Sequence, residues 1–70
     1  MEFIFTRHAT EQIMERGVSK DEAKEIILKG VKFGPDKKGN MHARMFGVEV
    51  VYNKKNQTYR IVTVFRTKER

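Results

Sequence analysis

The two histidines of this sequence, His8 and His42, are the side chains best suited to proton transfer near neutral pH. His8 lies at the predicted start of a helix, where the helix dipole and the first backbone amides favour an anion such as phosphate. A neutral imidazole beside a bound phosphate can act as a general acid or a general base. His8 is therefore our first catalytic candidate, and a surface or packing histidine is the alternative.

The last third of the chain supplies cations and a hydroxyl group in a strand-like pattern. Regular alternation in TYRIVTVFR would put Arg60 and Arg66 on one side of a strand and Thr63 on the other, among apolar neighbours. Because a phosphate clamp needs cations, we add Arg44 and Arg60 to His8 as catalytic candidates, with Thr63 or Tyr52 as a positioning hydroxyl. The alternative for Thr63 is a buried hydroxyl that is merely hydrogen-bonded.

Positive charge is concentrated in the second half of the chain. The 70 residues hold 15 Lys and Arg against 9 Asp and Glu, a formal net charge of +6. Five basic and six acidic residues give −1 in residues 1–30, whereas ten basic and three acidic residues give +7 in residues 31–70. A basic half is typical of a domain that binds a polyanion, and solvated loops or protected sheet edges are the alternative. The residues that we assign to nucleic-acid binding are Arg16, Lys37, Lys38, His42, Tyr52, Lys54, Lys55 and Arg66.

The first half of the chain has the pattern of two helices. Thr6 is a suitable N-cap for a helix over residues 7–16. Ser19 has capping-box spacing to a glutamate three residues later and begins a second helix that ends at Gly30. The apolar spacing of this second helix predicts that Val31 continues its buried face.

The second half has the pattern of β-strands. Strands are predicted over residues 41–46, 48–52 and 58–66, and a short strand over residues 2–5 precedes the helices. Turn-forming residues make 34–40 a loop. The fold class is therefore α+β, with a short N-terminal strand and two helices packed on a three- to four-stranded antiparallel sheet.

Several classes of protein are excluded or disfavoured. The length predicts a single domain over residues 1–70. The absence of cysteine excludes disulfides and cysteine-ligated zinc, and with two histidines and scattered acids we expect no metal site and no cofactor. The apolar stretch at residues 3–5 is too short for a signal peptide or a membrane span, so we expect a cytoplasmic protein without membrane contact.

The stretch RHATEQIMERGVS at residues 7–19 resembles the family called domain of unknown function 4258, and the strands GVEVVYN and TYRIVTVFR are similar as well. The matching positions are His8, Ala9, Arg16, Gly17, Ser19 and, more loosely, Thr63. The resemblance implies a fold related to the RelE and BrnT toxins, small basic ribonucleases with helices packed on an antiparallel sheet. Family members typically carry arginine four residues after the histidine, where this chain has Gln12.

Three functions are compatible with these observations. The first is a toxin-like, metal-independent endoribonuclease of a toxin–antitoxin type, with RNA as substrate and an antitoxin protein as a further partner. The second is a non-catalytic nucleic-acid-binding module on the same scaffold. The third is a protein-interaction module that pairs with another chain or forms a homodimer.

Overall fold

The structure, a computed structural model, describes residues 1–67. Within this range the chain forms two helices and five strands. The elements are β1 (Glu2–Phe5), α1 (Arg7–Arg16), α2 (Lys20–Lys29), β2 (Val31–Phe33), β3 (Met41–Met45), β4 (Val48–Lys55) and β5 (Thr58–Arg66). The predicted α+β class and both predicted helices are confirmed. Neither helix in the described residues is long and apolar enough to cross a membrane.

The strands form one mixed sheet in the order β1-β5-β4-β3-β2. The pairs from β2 to β5 are antiparallel, whereas β1 runs parallel to β5, with Glu2 opposite Thr58 and Phe5 opposite Ile61. The prediction of a three- to four-stranded antiparallel sheet is therefore wrong in strand number and in the direction of β1. Parallel neighbours need a crossover connection, and both helices belong to the connection between β1 and the later strands.

The additional strand is β2, which follows α2 directly. Val31 was expected on the buried face of the second helix, but it lies in β2 and is 72% exposed. The helix ends at Gly30, where a Cβ atom would lie 2.6 Å from the Ile26 carbonyl oxygen and 2.8 Å from the Arg44 carbonyl oxygen. Only glycine permits this close approach, which takes the chain straight from helix to sheet.

Both helices pack on one face of the sheet. Strand residues that point to the helices include Ala43, Val50 and Ile61, which are fully buried in the core with Ala9 and Ile26. The residues that alternate with them point away from the helices, and we call this side the open face. The open face is formed by Val31, Phe33, His42, Arg44, Glu49, Val51, Asn53, Arg60, Thr63 and Phe65.

A β-bulge in β5 decides which of its residues belong to the open face. Val51 of β4 lies opposite Thr63 and Tyr52 lies opposite Ile61, so Val62 has no partner across the pair. The extra residue reverses the alternation, because Ile61 and Val64 are both fully buried although they are three residues apart. The regular alternation predicted for β5 is therefore wrong beyond Val62.

Thr6 links β1 to α1 and ties the junction to β5. Its backbone N–H donates to the Ile61 carbonyl oxygen at 3.1 Å, and its Oγ1 donates to the Val62 carbonyl oxygen at 3.3 Å. The same Oγ1 accepts from the N–H of Ala9 at 3.1 Å, which is the N-cap contact of α1. One hydroxyl group therefore fixes both the start of the helix and its place beside the sheet.

We predict that Thr6→Ala lowers the free energy of unfolding by about 1–2 kcal/mol, because it removes the cap and the bond to Val62. Urea unfolding measures the loss, and Thr6→Ser should restore most of it. Thr10→Ala is the matched control, since the Thr10 hydroxyl forms no hydrogen bond within residues 1–67. Equal effects of the two alanine variants would contradict the proposed role of Thr6.

Candidate functional site

His8 and Thr63 meet although they lie 55 positions apart in the chain. His8 Nε2 is 3.1 Å from Thr63 Oγ1, in an exposed position. The contact exists because α1 runs alongside the second half of β5, beyond the part that β1 covers. His8 lies in the first turn of α1, directly after the Thr6 cap. The structure thus brings together two of the four residues predicted for catalysis.

Arg60 and Arg44, the other two predicted catalytic residues, differ in their availability. Arg60 is exposed on the open face, three residues before Thr63, and its side chain forms no hydrogen bond or ion pair within residues 1–67. Arg44 lies on β3, two strands from β5, and its row of the sheet continues through Glu49 to Phe65. Arg60 is therefore the free cation on the same strand as Thr63, whereas Arg44 belongs to another part of the open face.

A second group of side chains on the open face joins two carboxylates to two cations. His42 Nδ1 is 2.6 Å from Glu49 Oε2, and His42 Nε2 is 2.8 Å from Asp36 Oδ2. Arg44 Nε and Nη2 donate to Glu49 Oε1 at 3.2 and 2.7 Å. Because carboxylates only accept, both ring nitrogens of His42 donate and the ring is an imidazolium. We call Asp36, His42, Arg44 and Glu49 the His42 cluster.

The His42 cluster fastens the loop over residues 34–40 to the sheet. Asp36 Oδ1 accepts from the backbone N–H groups of Lys38 and Asn40, each at 2.9 Å, while its second oxygen binds His42. The ring of Phe33 stacks on His42, with centroids 5.2 Å apart. The Asp36 carboxylate thus links this turn to the sheet and adds to the turn's own backbone hydrogen bonds.

The pKa values of the cluster follow from these contacts. The hydrogen bond to Asp36 raises the pKa of His42 above its ordinary value of 6.5; Glu49 adds to this effect and burial opposes it. The His42 bond likewise lowers the pKa of Asp36 below 3.8. Burial alone would raise the pKa of Glu49, but the hydrogen bonds from Arg44 and His42 outweigh it and lower that pKa below 4.5. All four groups are therefore charged near pH 6.

The cluster bears directly on the predicted binding roles of His42 and Arg44. Both ring nitrogens of His42 are occupied by carboxylates, which leaves no free donor for a phosphate. Two carboxylates also offset the two cations locally, although the Arg44 side chain is 51% exposed. The open face is therefore less basic around β3 than the charge of the second half suggests.

Four lysines among the nucleic-acid-binding candidates are exposed at two separate positions. Lys37 and Lys38 lie in the turn of the 34–40 loop, and Lys54 and Lys55 lie at the hairpin end of β4. Both connections lie at the same end of the sheet, where Asn53 Nδ2 donates to Asn40 Oδ1 at 3.3 Å, so the four lysines add positive charge to that end.

Arg66, Arg16 and Tyr52 have structural contacts. Arg66 Nε and Nη2 donate to the Arg16 carbonyl oxygen at 3.1 and 2.6 Å, at the C-terminal end of α1. The Arg16 side chain contacts Glu15 at 3.4 Å. Tyr52 is only 5% exposed, and burial raises the pKa of its hydroxyl. Its ring belongs to the core, so the nucleic-acid-binding role predicted for Tyr52 has no accessible ring surface.

A surface that combines lysines with aromatic rings includes Lys54, a predicted nucleic-acid-binding residue, but its other lysines and the β1 rings were missed by sequence reasoning. Tyr59 stacks on Phe3 with centroids 5.0 Å apart and planes at 11°. Lys54 Nζ lies 5.2 Å from the centre of the Tyr59 ring, and Lys24 Nζ lies 5.6 Å from that of Phe3. We define the lysine–aromatic surface as Phe3, Phe5, Lys20, Lys24, Lys54 and Tyr59. Two features of the sequence indicate the missed part of this surface. They are the alternation of Phe3 and Phe5 and the helical spacing of Lys20 and Lys24.

Comparison with known proteins gives one match. The model of a family described as a domain of unknown function (DUF4258) matches residues 5–66. The chain belongs to the DUF4258 family. Within this DUF4258 domain lie both α1 and β5, and therefore both partners of the His8–Thr63 pair. No curated protein and no solved structure matches the chain.

No metal centre is formed by the described part of the DUF4258 domain. Residues 1–67 contain no group of three or more histidine, aspartate or glutamate side chains that could hold a metal ion. In the His42 cluster the oxygen and nitrogen atoms bind one another instead.

We predict that the DUF4258 domain loses stability as the pH rises above 6.5, and that this loss depends on His42. A raised folded-state pKa means that the contribution of His42 is complete below 6.5 and is lost as the pH rises through the folded value. The lowered pKa values of Asp36 and Glu49 give a contribution that is present above 3.8 and 4.5 and is lost in acid. The cluster therefore stabilises the fold most between about pH 5 and pH 6.5.

Urea unfolding at several values between about pH 5.5 and pH 9 measures this dependence. His42→Gln removes the titrating group, so the slope of stability against pH should flatten in this range. Asp36→Asn should reduce the slope, because it removes the largest cause of the raised pKa. Parallel slopes for the wild type and His42→Gln would refute the assignment.

Proposed function

We propose that this DUF4258 protein is a toxin-like, metal-independent endoribonuclease with His8 as its general base. The observation that carries the proposal is the 3.1 Å contact between His8 Nε2 and Thr63 Oγ1 in an exposed position. A base that is both oriented by a hydrogen bond and open to solvent can reach a bound substrate. The relation to RelE and BrnT toxins that the DUF4258 resemblance implies is the reason for proposing RNA as that substrate.

His8 would act on the ribose. When Nε2–H donates to Thr63 Oγ1, the ring is held in one orientation and Nδ1 keeps its lone pair. Nδ1 takes the proton of the ribose 2′-hydroxyl, and the 2′-oxygen attacks the neighbouring phosphorus. The bond from phosphorus to the 5′-oxygen breaks, and that oxygen takes a proton from the imidazolium or from water. The products are a 2′,3′-cyclic phosphate and a 5′-hydroxyl group.

Charge on the pentavalent phosphorus needs a cation, and Arg60 would supply it. The Arg60 guanidinium is exposed and has no partner within residues 1–67, and it extends from the strand that carries Thr63. The positive end of the α1 dipole lies at His8 and adds to the field. The chemistry therefore needs only residues of α1 and β5.

A non-catalytic RNA-binding protein on the same scaffold is the second candidate. Two observations favour it. Arg44, predicted as a phosphate clamp, donates to Glu49 instead, and Gln12 stands where family members typically carry arginine. Both observations reduce the number of cations available to a reacting phosphate.

We predict that the purified protein cleaves single-stranded RNA in the presence of EDTA, and that His8→Ala lowers the cleavage rate about 10²- to 10⁴-fold. Thr63→Val should lower the rate about tenfold by releasing the His8 ring, and Thr63→Ser should restore it. Thr58→Val is the matched control on the same strand and should leave the rate unchanged. Gel analysis of end-labelled RNA measures the rates and identifies the cyclic phosphate.

The outcomes separate the candidates. If the wild type leaves RNA intact at enzyme excess but binds it with a strong dependence on salt, the non-catalytic candidate replaces the first. If the protein neither binds nor cleaves RNA at low salt, both candidates are wrong and the protein-interaction hypothesis remains.

A further inference from the structure

A cleft of about 380 Å³ lies at the hairpin end of the sheet and is lined by Met1, Lys54, Gln57 and Tyr59. Its volume falls in the lower part of the range for small-molecule sites, about 300–1,000 Å³. The cleft is separate from the His8–Thr63 pair. Tyr59 packs against the core on the helix side, whereas the bulge at Val62 turns Thr63 to the open face.

Tyr59 gives the cleft a rigid aromatic wall. Its ring stacks on Phe3 at 5.0 Å and lies 5.8 Å from the tilted ring of Tyr52. Tyr52 is buried, but Tyr59 is only partly buried and remains in contact with the cleft. A ring that is already fixed by its neighbours loses little conformational freedom when a flat ligand stacks on it.

The positive charge around this wall is not neutralised. Lys20, Lys24 and Lys54 lie over the rings of the lysine–aromatic surface, and none of them pairs with a carboxylate within residues 1–67. The His42 cluster is the opposite case, since its cations are offset by Asp36 and Glu49. Free cations beside a fixed aromatic ring suit a ligand that has a flat base and a phosphate.

We propose that this cleft binds one unpaired base of single-stranded RNA. The base stacks on the face of Tyr59 opposite Phe3, and Lys54, which lies over that face in the free protein, moves aside to pair with the phosphate. The side-chain amide of Gln57 hydrogen-bonds the edge of the base. The proposal rests on the proposed function only in taking RNA as the ligand, and it does not require His8. Duplex RNA is disfavoured because its bases are stacked inside the helix, and an acidic peptide would engage the lysines without using the ring.

The position of the cleft also suits the proposed cleavage. Tyr59 and Thr63 lie opposite Lys54 and Val51 of β4, and because the bulge at Val62 takes up one residue, they are about 10 Å apart along the strand. A single strand held at Tyr59 could pass over the β1–β5 edge of the sheet towards His8. The cleft would thus anchor the substrate at a distance from the reacting phosphate.

Fluorine NMR of protein labelled with 3-fluorotyrosine tests the proposal, because the chain contains two tyrosines and no tryptophan. The probe is a single-stranded 2′-O-methyl RNA, which lacks the hydroxyl needed for cleavage. We expect the Tyr59 resonance to shift on binding while the buried Tyr52 resonance stays in place, with Tyr52→Phe giving the assignment.

Affinities of variants provide the second measurement. Tyr59→Leu should weaken binding about 5- to 150-fold, the usual loss for one stacked base, and Tyr59→Phe should bind like the wild type. Phe65→Leu is the matched control on the open face of the same strand and should change little. Because Tyr59 also packs on the core, Lys54→Ala gives an independent check, since it should weaken binding and reduce the salt dependence without removing a packed ring.

The results distinguish this proposal from the proposed nuclease. If the Tyr59 resonance shifts but unmodified RNA is not cleaved, the result supports base binding in the cleft and contradicts the proposed nuclease. If neither tyrosine resonance shifts, or if Tyr59→Leu binds the RNA as tightly as the wild type, the proposed base-binding cleft is wrong and the proposed nuclease is unaffected. Equal affinity for duplex RNA or for polyglutamate also overturns it. A wild type that binds no RNA at low salt overturns both proposals.

Discussion

Parallel pairing of β1 with β5 is the constraint on which the candidate sites depend. It brings the two ends of the described chain side by side, so that Phe3 lies opposite Tyr59 and Phe5 opposite Ile61. Because β1 covers only the first half of β5, α1 continues along the second half, and His8 reaches Thr63. Without this pairing, the Phe3–Tyr59 stack would also lose one of its rings. The His8–Thr63 pair and the cleft at Tyr59 therefore both depend on the pairing of β1 with β5.

The distribution of charge along the chain is a poor guide to the charge of its surfaces. The net charge of +7 in the second half already includes Asp36 and Glu49, but both of these acids lie beside His42 and Arg44, so the positive excess lies elsewhere. Lys68 to Arg70 also count in that sum and lie outside the described residues. The first half is nearly neutral, yet it contributes Lys20 and Lys24 to the lysine–aromatic surface. The parallel pairing is the reason, since it joins residues from both halves at one edge of the sheet.

Local signals in the sequence were sufficient for the helices and for most strands. Thr6 caps α1, and Ser19 and Glu22 form the capping box expected for α2, because these contacts depend only on neighbouring residues. The sequence indicates a role for His8 from its place in the helix and for Thr63 from its hydroxyl, but not that the two residues meet. By contrast β2 has only three residues, too few for a periodic pattern, and its formation depends on pairing with β3. The burial of Glu49 likewise needs partners on other segments.

The bulge at Val62 was beyond sequence reasoning for a different reason. Val, Ile and Thr suit either side of a strand, so the stretch around Ile61 gives no preference for a regular or a bulged register. Two constraints from outside β5 act on that register. Thr6 donates hydrogen bonds to the carbonyl oxygens of Ile61 and Val62. In addition, the side chains of Ile61 and Val64 are both buried in the core. A regular strand that kept Ile61 in the core would place Thr63 on the same side as Tyr59. The bulge instead separates the exposed hydroxyl from the aromatic wall, and one strand presents a different chemistry on each face of the sheet.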